Sequence, residues 1–326
     1  MNLSLDENQI MLRDSVRRFA SRALNERVSD SSDIQKTLDD LRDELHQLGL
    51  WGLTASADVG GLELDALTAV IVIEEIARQD PDVALLLAIH LAIIAPVLAG
   101  EGSSNRPDVL DGSCRIAVAW PTTTADLYHW VGPADSIEEV LFIGPQFIIA
   151  PSPELTASPQ LGLTGLRSGT VQYKAQLDGQ VIGDSNELLS RITCTMSASL
   201  AAVSVGLSRN ALERALDYAA EREQFGRSLN RFQAIQFKLA DMATRIDSAR
   251  LLLRRAANMM DTDLAELAMI AAGDAASFAA DEAVQIHGGY GYTREYPVEG
   301  LYRDSRQLST ISNRWLPNKR STRHSK

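Results

Sequence analysis

The stretch "RFQAIQFKLADMATRIDSARLLLRRAA", residues 231–257, decides the fold. Its apolar residues are Phe232, Ile235, Leu239, Met242, Ile246, Ala249, Leu253 and Ala256. Their spacing alternates between three and four residues, which places all of them on one face of an α-helix and makes that face a bundle seam. A helix with such a stripe needs neighbours to cover it. On either side the same helical grammar continues. One helix runs from about Ser190 to the Glu221-Arg222 pair. Asp263 with Glu266 predicts the cap of the next, which reaches about Ile286. A last helix follows Pro297, with Glu299 and Arg303 spaced to pair across one turn. Four long helices with short connections predict an antiparallel four-helix bundle over residues 186–326.

Upstream the grammar changes. Between residues 113 and 185, "CRIAVAW", "EVLFIG", "QFIIAP" and "TVQYKAQL" are short, β-branched or aromatic, and separated by Gly, Pro, Ser and Asp. They predict a small middle β domain. Residues 1–112 are helical again. "SLDE", Ser4 to Glu7, reads as a capping box, followed by Ile10, Val16, Phe19, Ala20 and Leu24. Further helices are predicted near 33–48, 64–79 and 82–99, broken at "ADVGG" and "QDPD". The expected architecture is mainly α with a small β domain: an N-terminal α-helical domain (1–112), a shortened middle β domain (113–185) and a C-terminal four-helix bundle (186–326).

Composition narrows the partners. With 326 residues, 45% hydrophobic and 23% charged, the chain has the balance of a soluble globular protein. Its net charge of −12 argues against nucleic acid, because a polyanion would be repelled. The basic tail Lys319, Arg320, Arg323, His324 and Lys326 reads as a solvated end. Two distant cysteines, Cys114 and Cys194, form no CxxC pattern, so neither a metal site nor a disulfide framework is expected. A reducing cytoplasm is the simpler setting. The N-terminus "MNLSLDENQ" lacks the basic and apolar regions of a signal peptide. "DVALLLAIHLAIIAPVLAG", residues 82–100, is nearly long enough to cross a membrane, but no aromatic belt or basic flank frames it, so a buried helix is expected.

Two segments carry chemistry. In "YAAEREQFGRSLNRFQAIQFKLADMA" (Tyr218 to Ala243) a helix ends in Glu-Arg, a tight turn holds Phe225-Gly226, and a new helix opens with Phe232-Gln233. In "AVQIHGGYGYTREYPVEGLYRD" (Ala283 to Asp304) a helix ends at Gly288-Gly289 before an aromatic turn. Each residue has a bland role: Gly288 as an ordinary C′ glycine, Arg222 as a surface arginine, Gln233 as a solvated first-turn residue. Together they read differently. Paired glycines admit close approach of a ligand, an arginine offers a fork for a diphosphate, and Gln233 and Gln285 offer amides for a nucleotide.

Both segments resemble the acyl-CoA dehydrogenase family of flavoenzymes, as do "LSLDENQIMLRDSVRRFASRAL" and "GGLELDALTAVIVIEEIARQD" near the N-terminus. The resemblance covers nearly the whole chain. It implies FAD laid across a subunit interface, its adenine and diphosphate half held by the neighbour's bundle. Carried over, the holding residues are Arg222, Phe225, Gln233, Gln285, Ile286, His287, Gly288 and Gly289. It also implies an acyl-CoA thioester oxidised to the 2-enoyl product and an electron-transfer flavoprotein as acceptor. His90, His129 and Cys194 lie in no family motif and are expected to be structural.

The same resemblance makes an absence visible. Family members usually place a catalytic glutamate shortly after the Arg-Asp of the last helix, and here that position is Ser312. Others place it at the start of the first bundle helix, which falls near Met196. Neither residue accepts a proton at working pH. The Leu-Thr-Glu-Pro flavin segment of the β domain reads "WPTTTAD" (Trp120 to Asp126), with Thr122 or Thr123 left to reach a flavin. The Gly-Ile-Arg segment survives as "GLRSGTVQY". The chain thus keeps what it would lend to a neighbour's FAD and lacks much of its own site. This predicts a subunit of a heteromeric dehydrogenase, a dimer of heterodimers in which a partner supplies the base. The alternatives are a homo-oligomer with a relocated base, Glu187 or Glu299, and a binding or scaffold protein without redox chemistry.

Overall fold

The computed structural model describes residues 5–24, 34–100, 106–133, 136–144, 146–173, 179–183 and 186–315. The N-terminal helices are α1 (Glu7–Ala23), α2 (Ile34–Gln47), α3 (Ala66–Ala77), α4 (Pro81–Ile89), α5 (Ala95–Leu98) and α6 (Pro107–Asp111). The cap of α1 is Asp6, not Ser4, which lies outside the described residues. The Asp6 carboxylate accepts from Gln9 N at 2.8 Å, and Gln9 Oε1 accepts from Asp6 N at 3.2 Å. This register lets the Gln9 amide also donate to Thr68 Oγ1 on α3 at 3.4 Å, so one side chain serves both cap and helix contact.

Helix α3 is apolar almost all round, and its two acids are among its most covered residues. Glu74 and Glu75 are each 2% exposed. Arg17 of α1 grips Glu75 with bonds of 2.9 and 3.0 Å, while Arg209 reaches both acids and Arg250 reaches Glu74. Burial pushes Glu75 up, but the hydrogen bonds and charges of Arg17 and Arg209 outweigh it and hold the carboxyl at about 2. These pairs tie the N-terminal helices to the bundle behind them.

The apolar segment Pro81–Leu98 is 89% buried inside the protein. Its middle, His90–Ile94, widens into a π-helical turn just before Pro96. The cause is local: Ala95 N donates back to His90 O, and Pro96 has no N–H, so the carbonyls of Leu91 and Ala92 lose their helical partners. Threonines lie against both. Thr54 Oγ1 donates to Leu91 O at 2.8 Å, and the Thr195 hydroxyl, 3.1 Å from Ala92 O, shares its one proton between that carbonyl and those of Arg191 and Ile192.

The middle domain is one seven-stranded sheet: β1 (Ile116–Pro121), β2 (Leu127–Pro133), β3 (Glu139–Phe142), β4 (Phe147–Pro151), β5 (Thr156–Ala157), β6 (Leu166–Gln172) and β7 (Gln180–Gly183). The order is β5-β6-β2-β1-β3-β4-β7, antiparallel except where β1 meets β3. Alternation along β1 splits it between two cores. Ile116, Val118 and Trp120 join the core shared with the helices, whereas Ala117 and Ala119 pack with Trp130, Val140 and Phe142 on the other face. Trp120 is therefore aimed at the bundle.

The bundle consists of α7 (Asn186–Glu221), α8 (Gln233–Met259), α9 (Thr262–His287) and α10 (Val298–Trp315). The α8 seam is buried from Leu239 through Met242, Ile246, Ala249, Leu253 and Ala256. The facing side of α9 is nearly all alanine, including Ala268, Ala272, Ala276, Ala279 and Ala283, which lets α7 lie close against it. The cap of α9 is Asp261, whose Oδ1 accepts from Leu264 N at 2.9 Å, and not Asp263. Helix α8 ends with Met260 in a left-handed conformation, so the chain turns two residues early and presents Asp261 at the cap.

Candidate functional site

Two ends of the bundle matter. At the first, α7 stops at Glu221 and the chain makes a hairpin, β8 (Glu223–Gln224) and β9 (Arg227–Ser228). Its central residues, Phe225 and Gly226, have φ of 53° and 77°. Two left-handed residues in succession define a type I′ turn, free of cost for glycine but strained for phenylalanine. The Phe225 ring is 94% exposed, so the strain is not repaid by burial in this chain. Beside the hairpin, the Arg222 guanidinium lies 5.7 Å over the Tyr290 ring. Tyr290 belongs to the turn Gly288–Tyr292 that closes α9, so the two sequence motifs meet in space.

That turn depends on Gly288, whose φ of 61° with ψ of −135° is a glycine conformation. A Cβ placed on Gly288 or Gly289 would meet nothing within 4 Å, so both face open space. The Gln285 amide donates to Tyr292 Oη at 3.3 Å. Gln233 is the exposed first residue of α8, a helix without a side-chain cap at Phe232; Ile235 N donates to Phe232 O at 3.0 Å, which leaves the N–H groups of Gln233 and Ala234 at the positive dipole end. Ile286 and His287 turn the other way. Ile286 is 4% exposed, and His287 stacks on Tyr218 at 4.1 Å while its Nδ1–H donates to Ala283 O at 2.7 Å. Burial pushes the His287 pKa down, so the ring is a neutral packing group beneath the turn. Tyr218, Tyr290 and Tyr292 were not picked out individually from the sequence; the aromatic turn "GGYGY" was the signal for the last two, and Tyr218 opens the other motif.

This surface offers a guanidinium fork, helix-end amides, two side-chain amides and an unobstructed glycine pair. That donor set fits the ADP half of a dinucleotide: the fork suits a diphosphate, and the bare backbone permits close approach.

The other end, where α7, β1 and α10 converge, is of opposite character. Helix α10 continues unbroken through Ser312 to Trp315. Met196 on α7 is 1% exposed. Trp315 Nε1–H donates to Ser197 Oγ at 3.2 Å, and Trp120 Nε1–H donates to Arg314 O at 3.0 Å. The two indoles meet edge to face with centroids 5.4 Å apart. Thr122 is taken up by its own loop, accepting from Thr124 N at 3.0 Å and donating to Thr124 O at 3.1 Å. Glu299 is held by Arg303 through bonds of 2.9 and 2.8 Å, whose hydrogen bonding keeps the carboxyl below its usual range. Glu187 sits exposed in the first turn of α7.

Further along α10, Asp304 Oδ1 accepts from Leu163 N at 2.8 Å and Arg303 Nη1 donates to Leu161 O at 3.0 Å. Asp82, near the start of α4, accepts from Gly165 N at 2.9 Å in the same loop. Burial, aided by the nearby charge of Asp80, pushes the Asp304 carboxyl up to about 6. His90 and Cys114 line a cavity of about 50 Å³ between the N-terminal helices and the sheet. His90 Nε2–H donates to Trp51 O at 3.0 Å, and burial drops its pKa to about 4 while raising the Cys114 thiol to about 12. Neither group is prepared for chemistry near neutral pH.

Known proteins share this fold. Residues 6–106 match the acyl-CoA dehydrogenase N-terminal domain, and residues 195–312 match the acyl-CoA dehydrogenase C-terminal domain. The chain is 26% identical to the caffeyl-CoA reductase-Etf complex subunit CarC of Acetobacterium woodii, over 92% of this chain and 93% of CarC. It is 29% identical to an acyl-CoA dehydrogenase of Bacillus subtilis, over 93% and 94%. The solved butyryl-CoA dehydrogenase of Megasphaera elsdenii superposes with a TM-score of 0.77 at 23% identity, covering 96% of each chain.

Proposed function

This chain belongs to the acyl-CoA dehydrogenase family of oxidoreductases, and we propose that it serves there as the nucleotide-holding subunit of a two-chain flavoenzyme. The cofactor is FAD and the substrate an acyl-CoA thioester. When bound, FAD supplies the acceptor for the β-hydrogen, which leaves as hydride while the α-proton goes to a base. Arg222 neutralises the diphosphate, the Gly288–Gly289 backbone lets the nucleotide approach, and Gln233 and Gln285 supply amides. Phe225 reaches outward toward the ligand or the neighbouring chain. A partner of the same family supplies the carboxylate base, giving a dimer of heterodimers, with an electron-transfer flavoprotein as acceptor and the cytoplasm as setting.

One observation carries the reading: the ADP-side surface is open and furnished, while Ser312 and Met196 stand at both base positions. A missing base typically removes about 10²–10⁴-fold in rate, so a chain with neither acid needs help from outside. The relocated-base alternative is weakened because Arg303 already holds Glu299. CarC, by its name a subunit of an Etf complex, supports the assignment to a multi-chain assembly.

The test is purification of the tagged chain from its native host, followed by chain identification, flavin quantitation and titration with hexanoyl-CoA. The expected result is a second dehydrogenase-type chain with a glutamate in its last helix and one FAD per pair of chains. A homo-oligomer with one flavin per chain, bleached by the thioester, would overturn the proposal.

A further inference from the structure

We infer that Trp120 and Trp315 shut this chain's own reaction cleft to a flavin ring. The inference rests on the reading above for where a ring would lie, and deepens it by assigning the closure to two side chains. The two base positions, Ser312 on α10 and Met196 on α7, serve the same substrate carbon in different family members. The space that both helices face at this level is therefore where that carbon would be. In this chain α10 does not break after Ser312. It carries on for one more turn and brings Trp315 to the same face of the helix. The indole crosses to α7 and donates to Ser197, the residue beside Met196. Ser197 is fully buried and Met196 1% exposed, so the crossing is sealed on the α7 side.

The third wall is β1. Trp120, the first residue of the segment aligned with the family's flavin loop, is 5% exposed and lies edge-on to Trp315. Its Nε1–H is spent on the carbonyl of Arg314, and His129 flanks it on β2 with ring centroids 6.4 Å apart. Both indole N–H groups thus have protein acceptors, and the rings pack on each other. An indole is the bulkiest side chain available, and two of them in edge-to-face contact leave a tricyclic ring no room without displacing one. The residues here do not fit an isoalloxazine, while those at the other end of the bundle fit the ADP half of an FAD whose ring lies in the neighbouring chain.

Isothermal titration of the full-length chain with ADP and, separately, with riboflavin, which carries the ring without the ADP half, reads the two ends of the bundle independently. If the cleft is closed, riboflavin does not bind the parent chain, and Trp315→Ala with its helical circular dichroism intact gains riboflavin affinity by at least about tenfold. Riboflavin binding to the parent, with quenching of the tryptophan emission that is lost in Trp315→Phe, would overturn the inference. An unchanged riboflavin response in the folded Trp315→Ala variant would likewise overturn it. Failure of ADP to bind overturns the nucleotide-side reading alone, because the riboflavin arm decides the cleft.

Discussion

The two ends of the bundle are built from the same helices yet prepared for opposite tasks. At the hairpin end Phe225 is 94% exposed at positive φ, and Gly288 and Gly289 face empty space. At the α10 end every indole N–H has an acceptor, and Trp120 is 5% exposed. Unrepaid strain and bare backbone indicate a surface awaiting something; satisfied donors and close ring packing indicate a place already filled. On the reading proposed above, the difference teaches that a member of an enzyme family can keep its contribution to a shared cofactor while filling its own share of the chemistry with core.

The contrast can be broken by mutation. Trp120→Ala carries the largest expected effect, about 3–5 kcal/mol of lost stability in urea unfolding, because it removes a buried ring and the anchor of the α10 end. A loss below about 1 kcal/mol would show the closed end to be loosely packed.

Asp304→Asn probes the same end through pH. The folded chain holds the Asp304 carboxyl at about 6 against an ordinary 3.8, so it keeps a proton that the unfolded chain releases. Stability from this group is therefore full below about pH 4 and declines toward pH 6, by up to about 3 kcal/mol. The asparagine variant lacks that decline and melts higher than the parent at pH 8. Glu75 works in the opposite sense: held at about 2 against an ordinary 4.5, it contributes above 4.5 and loses that contribution as pH falls toward 2. Thermal melts from pH 3 to 8 separate the two windows, and a variant curve parallel to the parent's between pH 4 and 6 would remove Asp304 from the account.

At the open end the expected costs fall on binding. Arg222→Ala weakens ADP binding about 10–100-fold, the worth of a charge-assisted bond to a diphosphate, and leaves the melting temperature unchanged. A fall in melting temperature without a loss of affinity would make Arg222 a structural residue. Phe225→Gly is the smallest and most diagnostic change. Glycine relieves the positive φ and raises stability by up to about 1 kcal/mol, while the loss of the exposed ring weakens FAD binding a few-fold.

Much of this was legible in the sequence, because periodicity is local. The three-four alternation marked the α8 seam, and Leu239, Met242, Ile246, Ala249, Leu253 and Ala256 are buried as that spacing implies. The pairing of Glu299 with Arg303 needed only one helical turn. Caps were harder. Asp6 has Gln9 three residues on just as Ser4 has Glu7, and Asp261 lacks the acid that Asp263 finds in Glu266, yet Asp261 caps because the left-handed Met260 ends α8 just before it. The residues proposed to hold the nucleotide formed motifs in the sequence, but the directions of their side chains were not legible: Ile286 and His287 share the motif with Gly288 and yet point into the core. Helix phase separates them, since one step along a helix swings a side chain by about 100°.

By itself the sequence determined the order of helical, β and bundle segments, the family, and the lack of an acid at Ser312 and Met196. Each follows from residue identity or short-range spacing. What fills the place of that acid was decided by tertiary structure alone. Trp120, Ser197 and Trp315 lie on a strand and two helices far apart in the chain, and no local pattern links them. They meet because alternation turns Trp120 toward the bundle, α10 runs one turn past Ser312, and α7 sets Ser197 against Trp315. Such a contact depends on how whole elements dock, a property set by the packing of all their faces at once.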